Sequence, residues 1–233
     1  MNKIQIKGEP KDEVLKLDED TVMNYTNCEK DIDIETNKDI KVFIYIENSK
    51  LNINFNIKDN LILNIFSENS TIKVNLNLNK ENINLNYAYS TINEGDNNYI
   101  VNINHFKKNT KSIITNHGIN LENNDLNFII NAFVLKDVTN VITTQNSKII
   151  LIKEKGATIK PNLLIENDDI IANHSAYIGT YKKSDLFYLK TRGLTEKSAQ
   201  KLLAKSFLIG NMQTITFRQI QKINDKLNTY WRW

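Results

Sequence analysis

Cysteine, proline, glycine and histidine are all scarce in this chain, and each scarcity excludes something. A single cysteine among 233 residues, Cys28, rules out an internal disulfide framework and a multi-cysteine metal site. It makes a reducing, cytoplasmic compartment the expected location. Seven glycines and two prolines do not advertise the tight Gly-rich hairpins of a Greek-key sandwich. No apolar run approaches the ~18 residues that cross a bilayer, and the opening MNKIQIKGEP has no apolar signal core. Neither a membrane partner nor secretion is expected. A net charge of +3 gives no bulk attraction to nucleic acid. Nor do aromatic and basic residues interleave on one sheet face, since Tyr87 and Tyr89 sit among asparagine and uncharged neighbours.

Enzyme signatures are missing too. There is no G-x-x-x-x-G-K-[ST], H-E-x-x-H, G-x-S-x-G or G-x-G-x-x-G. Asp168 and Asp169 are adjacent, so on a strand they would point to opposite faces and could not share a proton site; they read as a turn before a strand at Ile170. A non-enzyme is expected. A small enzyme with a histidine-based metal site has only the three histidines in its favour.

What the chain does have is asparagine, isoleucine and lysine, arranged with period two from about Ile40 to Ile178. Leu51, Ile53, Phe55 and Ile57 share one parity, with Asn52, Asn54 and Asn56 on the other. The same alternation recurs at Ile72–Leu78, Ile83–Tyr89 and Tyr99–Ile103, placing one face of each strand on a core. Strand starts near 51, 61, 72 and 83 suggest a sandwich, a barrel or a β-helix. Asparagine-rich outer faces favour the β-helix, because asparagine tolerates the left-handed backbone that tight corners need.

The period changes after Gly179. Ser184 is expected to cap a short helix, DLFYLKTR, which Gly193 ends in a left-handed conformation. Thr195 then caps a second helix carrying Ala199, Leu203 and Phe207 on one face, and Gly210 ends it. A last amphipathic segment presents Phe217, Ile220, Leu227 and Trp231 opposite its basic residues. The first 35 residues are acidic and weakly patterned, read as a short strand, a turn and a loop. Residues 1–36 hold ten acidic and five basic side chains, whereas 180–233 hold three acidic and eleven basic. The basic tail is either a solvated helical face or a docking surface for an acidic partner.

Each histidine has its own setting. His174 shares parity with Ile170, Ala172, Ala176 and Ile178, so it is a satisfied core or interface residue, or a ligand. His105 continues the face of Tyr99, Val101 and Ile103 with the same alternatives, and His117, before Gly118, reads as a turn residue. Negative neighbours disfavour the Cys28 thiolate, leaving an incidental thiol.

Pro161–Gly193 carries a family pattern. Gln145 precedes Ile149-Ile150-Leu151, then come Pro161-Asn162-Leu163-Leu164-Ile165, Asp168-Asp169-Ile170 and His174-Ser175-Ala176. Gly179, Leu186-Phe187-Tyr188-Leu189, Arg192-Gly193 and the stretch from Ala199 to Phe207 follow in order. This series resembles the C-terminal core of the SufB/SufD family, β-helical scaffolds of the Suf system that assembles iron–sulfur clusters. Ser175 after the histidine, and no cysteine beyond Cys28, resemble the SufD branch, in a shortened member without the family's N-terminal helical region.

The resemblance implies a right-handed parallel β-helix, mainly β, followed by a small C-terminal helical region. The expected segments are an acidic N-terminal stretch (1–36), the β-helix core (37–180) and the helical region (181–233). It also implies a non-catalytic scaffold subunit that pairs with a SufB-like chain, or with itself. His174 would then offer one nitrogen to a transient iron–sulfur cluster, or its metal, at the subunit interface, beside thiolates from the partner. Leu186, Phe187, Tyr188, Leu189, Arg192 and Gly193 would dock a SufC-like ABC ATPase, with Leu186, Phe187 and Leu189 anchoring the helices. The alternative is a β-solenoid structural or binding protein that has lost cluster chemistry.

Overall fold

The structure, a computed structural model, describes residues 2–6, 12–153, 156–213 and 215–231, and the side chains of these except 2–6, 12 and 13. Its strands in chain order are β1 (Asn2–Ile6), β2 (Asp12–Leu17), β3 (Thr21–Thr26), β4 (Glu29–Thr36), β5 (Ile40–Glu47), β6 (Lys50–Ile57), β7 (Leu61–Glu68) and β8 (Thr71–Leu78). They continue as β9 (Asn84–Asn93), β10 (Asn97–His105), β11 (Lys111–Asn120), β12 (Leu126–Val134), β13 (Val141–Leu151), β14 (Ala157–Ile165) and β15 (Ile170–Gly179). Helices α1 (Lys183–Thr191), α2 (Glu196–Gly210) and α3 (Phe217–Tyr230) complete the chain.

Odd-numbered strands form an eight-stranded sheet and even-numbered strands a seven-stranded one, each stacked in sequence order. Every pairing is parallel. The chain therefore winds as a parallel β-solenoid, one strand in each sheet per coil. Equivalent residues are 21 apart in the early coils and 27, 29 and 31 apart in later ones. Most of the lengthening lies in the turns and the rest at strand ends, so register survives it.

Alternation decides what is inside. Leu51, Ile53, Phe55 and Ile57 are buried on β6, and Ile72, Val74, Leu76 and Leu78 continue the same columns on β8. Each such side chain contributes roughly 1.5–3 kcal/mol of apolar burial. Outside, asparagines pair from coil to coil: Asn102 donates to Asn75 (2.7 Å), Asn131 to Asn102 (2.8 Å) and Asn162 to Asn131 (2.8 Å). At the corners, Asn27, Asn48, Asn69, Asn82, Asn109 and Asn140 all have positive φ. Among described residues other than glycine no other type does. The asparagine richness thus has two structural uses, amide ladders and left-handed corners.

The first 35 residues differ from the loop-rich reading. β1 to β4 extend both ladders upstream, and β3 and β4 pair in register with β5 and β6 across the expected boundary at residue 37. Acidic residues in β4 take the outward positions, with Ile32 and Ile34 inward, so net charge hid an ordinary alternation.

The helices lie against the outer face of the eight-stranded sheet. Phe43, Tyr45, Phe66, Ala88 and Ile92 point outward and pack with Ala204, Leu208, Met212, Ile223, Leu227 and Trp231 in one apolar cluster. This contact buries both faces of β5, β7 and β9. Helix α2 begins where expected, with the Thr195 side chain accepting from the Ser198 N–H. Helix α1 does not: its N-cap is Lys182, whose extended backbone ends one residue before the helix, and Ser184 lies within the first turn. Gly193 closes α1 at φ +87° as expected. In α3 the inward stripe is Gln219, Ile223, Leu227 and then Trp231, at i, i+4 spacing. Phe217 stands two residues from Gln219, about 200° around the helix, and is 73% exposed rather than buried.

Candidate functional site

β14 and β15 are the last strands of their sheets, and each is paired on one side only. No further coil covers them, so side chains on core parity lie open to solvent. Ala172, His174, Ala176 and Ile178 share the inward parity of β15, as the alternation predicts. Only Ile170 and Ala172 keep partial burial before the strand opens at His174, and Ile178 is 41% exposed. On β14 the core positions Ile159, Pro161, Leu163 and Ile165 are only half-buried. His174 is therefore an exposed end-strand residue, not a sealed core histidine, and its ring has no hydrogen-bond partner among the described residues.

Behind this open end the interior changes character. Upstream coils are filled by aliphatic and aromatic side chains, with Tyr89 stacked on Tyr99 at 3.8 Å and Tyr99 donating to the Tyr87 hydroxyl at 2.6 Å. The inward columns of β11 and β13 instead carry Ser112, Asn116, Thr143, Gln145 and Ser147, all buried. Ser112 donates to Thr143 (2.9 Å) and Asn116 to Ser147 (3.0 Å). Two acceptors there, Asn116 Oδ1 and Gln145 Oε1, have no partner. His105 joins the network, Nδ1 2.7 Å from Thr110 Oγ1 and Nε2 3.0 Å from Ser112 Oγ. Burial pulls His105 down to about 4, so it is neutral at physiological pH.

His117 is not in a turn. It lies outward on β11, beneath α2, with its ring stacked on Phe207 at 4.1 Å and Nδ1 donating to the Phe207 carbonyl at 2.8 Å. Burial lowers it to about 4 despite that bond. The three histidines do not converge. Among the described residues no group of three or more His, Cys, Asp or Glu could hold a metal ion. Cys28 lies between β3 and β4 with Sγ 3.6 Å from Ser49 Oγ. Six ladder steps separate β3 from β15, roughly 29 Å at ~4.8 Å per strand, so Cys28 cannot join His174 in one site.

Helix α1 follows β15 after three residues and has no buried side chain. Phe187 is 71% and Tyr188 57% exposed, and the Arg192 guanidinium lies 5.3 Å over the Tyr188 ring. Leu186 and Leu189 are half-buried toward the rest of the chain. Phe187, by contrast, faces water, because it sits on the opposite side of a short helix. In the sequence Gln145 belongs only to the family pattern; the signal that marks it is a run of polar residues, Thr143, Gln145 and Ser147, on one strand parity flanked by Val141 and Ile149.

Among the described residues no helix is long and apolar enough to cross a membrane. Residues 58–207 match the SufBD core domain of the SUF system for FeS cluster assembly. The chain is 26% identical over 126 residues to the iron–sulfur cluster assembly protein SufD of Bacillus subtilis, covering 54% of this chain and 29% of that protein. It is 33% identical over 78 residues to an iron–sulfur cluster assembly SufBD family protein of Mycobacterium leprae, covering 33% and 20%. The aligned segments span less than a third of either relative.

Proposed function

Because the chain belongs to the SufB/SufD family, we propose that it is a non-catalytic, cytoplasmic scaffold subunit of Suf iron–sulfur cluster assembly. The observation that carries this reading is the uncapped end of the solenoid. A last strand with free backbone edges and half-open core positions is a template for another strand end. The outer amide ladder supports the same reading, since Asn162 Nδ2 bonds back to Asn131 while its Oδ1 is left for a further rung. The occupant is a SufB-like chain, or a second copy of this one.

At that junction His174 contributes one imidazole nitrogen to a transient cluster, which is cargo and not a resident group. This chain supplies no thiolate there, so sulfur ligands come from the partner. Exposed Phe187 and Tyr188 on α1, with Arg192 beside them, form the docking surface for a SufC-like ABC ATPase.

The test is co-expression with a SufB-like chain and a SufC-like ATPase. A stable complex that assembles clusters, and loses that capacity in His174→Ala, is expected. Unchanged cluster assembly in His174→Ala removes the ligand role. A chain that purifies alone favours the second reading, a β-solenoid binding protein without cluster chemistry, which the distance of Cys28 from His174 supports.

A further inference from the structure

Gln145 and His174 are register partners on β13 and β15, and both take the inward parity. Ladder neighbours on one face stand ~4.8 Å apart, which sets the carboxamide beside the imidazole. Gln145 is fully buried, and its Nε2 donates to the Asn162 carbonyl at 3.3 Å. That bond orients the amide and leaves Oε1 as the free end, an acceptor without a partner. A buried acceptor without a donor is costly and uncommon. The His174 side chain makes no hydrogen bond among the described residues, and a neutral imidazole has one N–H to give and one lone pair to present. Exposed on the end strand, His174 can turn about its own side-chain bonds, whereas Gln145 is held by burial and by Asn162.

We propose that Gln145 is the positioning residue for His174: its Oε1 accepts the N–H of one ring nitrogen and thereby sets the tautomer that presents the other nitrogen's lone pair at the open end of the solenoid. A ligating histidine whose second nitrogen is bonded in this way has a fixed ring orientation and a more basic donor atom. The inference rests on His174 being a ligand, as proposed above. It also accounts for a buried glutamine set between Ile114 and His174 in its ladder column.

Histidine-selective ¹⁵N NMR of the full-length chain at pH 8 tests it, with His174→Ala identifying the His174 signals. Wild type is expected to hold one His174 tautomer, and Gln145→Met to shift the ratio about five- to tenfold, the size of one ordinary hydrogen bond. Gln145→Glu, which keeps a carboxyl oxygen at the same reach, restores the wild-type preference. A folded Gln145→Met protein with the wild-type ratio overturns the proposal. Should that variant not fold, a mixed tautomer population at His174 in the wild type overturns it equally. No cluster or partner is present in the measurement, so its failure leaves the ligand reading standing. A His174→Ala variant with unchanged cluster assembly, conversely, removes the ligand reading and leaves the tautomer result intact.

Discussion

Lys226, in the penultimate turn of α3, places its ammonium 2.5 Å from a Glu47 carboxylate oxygen and 2.8 Å from one of Glu68. The two carboxylates end β5 and β7, adjacent strands of the eight-stranded sheet, and Glu68 is buried. Tyr230 donates to the other Glu68 oxygen at 2.7 Å. Burial pulls the Lys226 ammonium down, but the bonds to Glu47 and Glu68 outweigh it and hold its pKa above the usual lysine value. One cation thus ties the last helix to two early coils.

Removing that cation leaves two neighbouring carboxylates without their bonded counter-ion. Lys226→Met is expected to destabilise the protein by about 1–3 kcal/mol, read as a fall in the urea midpoint. The double variant Lys226→Met with Glu47→Gln should recover part of the loss, which a double-mutant cycle would register. An unchanged midpoint in Lys226→Met would mean that this ion pair adds nothing to the hold on α3.

His105 predicts an acid window. Its folded pKa, about 4, lies below the ordinary value of 6.5 because burial disfavours the imidazolium. Between those values the unfolded chain binds more protons than the folded one, so stability falls as pH drops from 6.5 toward 4. The full contribution is on the order of 3 kcal/mol. His105→Gln should flatten the pH dependence of unfolding over this range, measured by chemical denaturation at stepped pH.

Corner asparagines should respond to backbone geometry more than to polarity. Asn48, at φ +46°, has to stay left-handed for β5 to turn into β6. Asn48→Gly is expected to be nearly neutral, whereas Asn48→Val should cost about 1–2 kcal/mol from the β-branched clash. Thermal unfolding of the pair distinguishes strain from loss of an amide bond, since both variants lose the amide.

The α1 surface separates binding from stability. Phe187→Ser with Tyr188→Ser should move the unfolding free energy by no more than about 0.5 kcal/mol, because both side chains are already in water. Co-purification with a SufC-like ATPase should be lost. Retention of the ATPase by this folded variant would move the docking site elsewhere.

Much of the β architecture was legible because a period of two is a local property. The inward parities of Ile53, Val74 and Val101 are written in the sequence, whereas the column they form and the positions of the left-handed corners come from the register of the coils. In β4 the charges of Glu29, Asp31, Asp33 and Glu35 mask inward isoleucines whose parity is intact. Phe217 differs from its expected place because a helical stripe can be drawn through several residues until a partner surface chooses one. His117 differs for a similar reason: a histidine beside a glycine suggests a turn only in the absence of the helix above it.

By itself, the sequence determined the strand parities and the family pattern, since each depends on neighbours along the chain or on a motif. Only the tertiary structure decided which end of the solenoid stays open, which histidines are sealed, and which outward face the helices cover. The helix cover depends on contacts between residues more than a hundred positions apart, such as Lys226 with Glu47 and Tyr230 with Glu68. No local period encodes such a contact, because its free energy exists only once both coils and helix are in place.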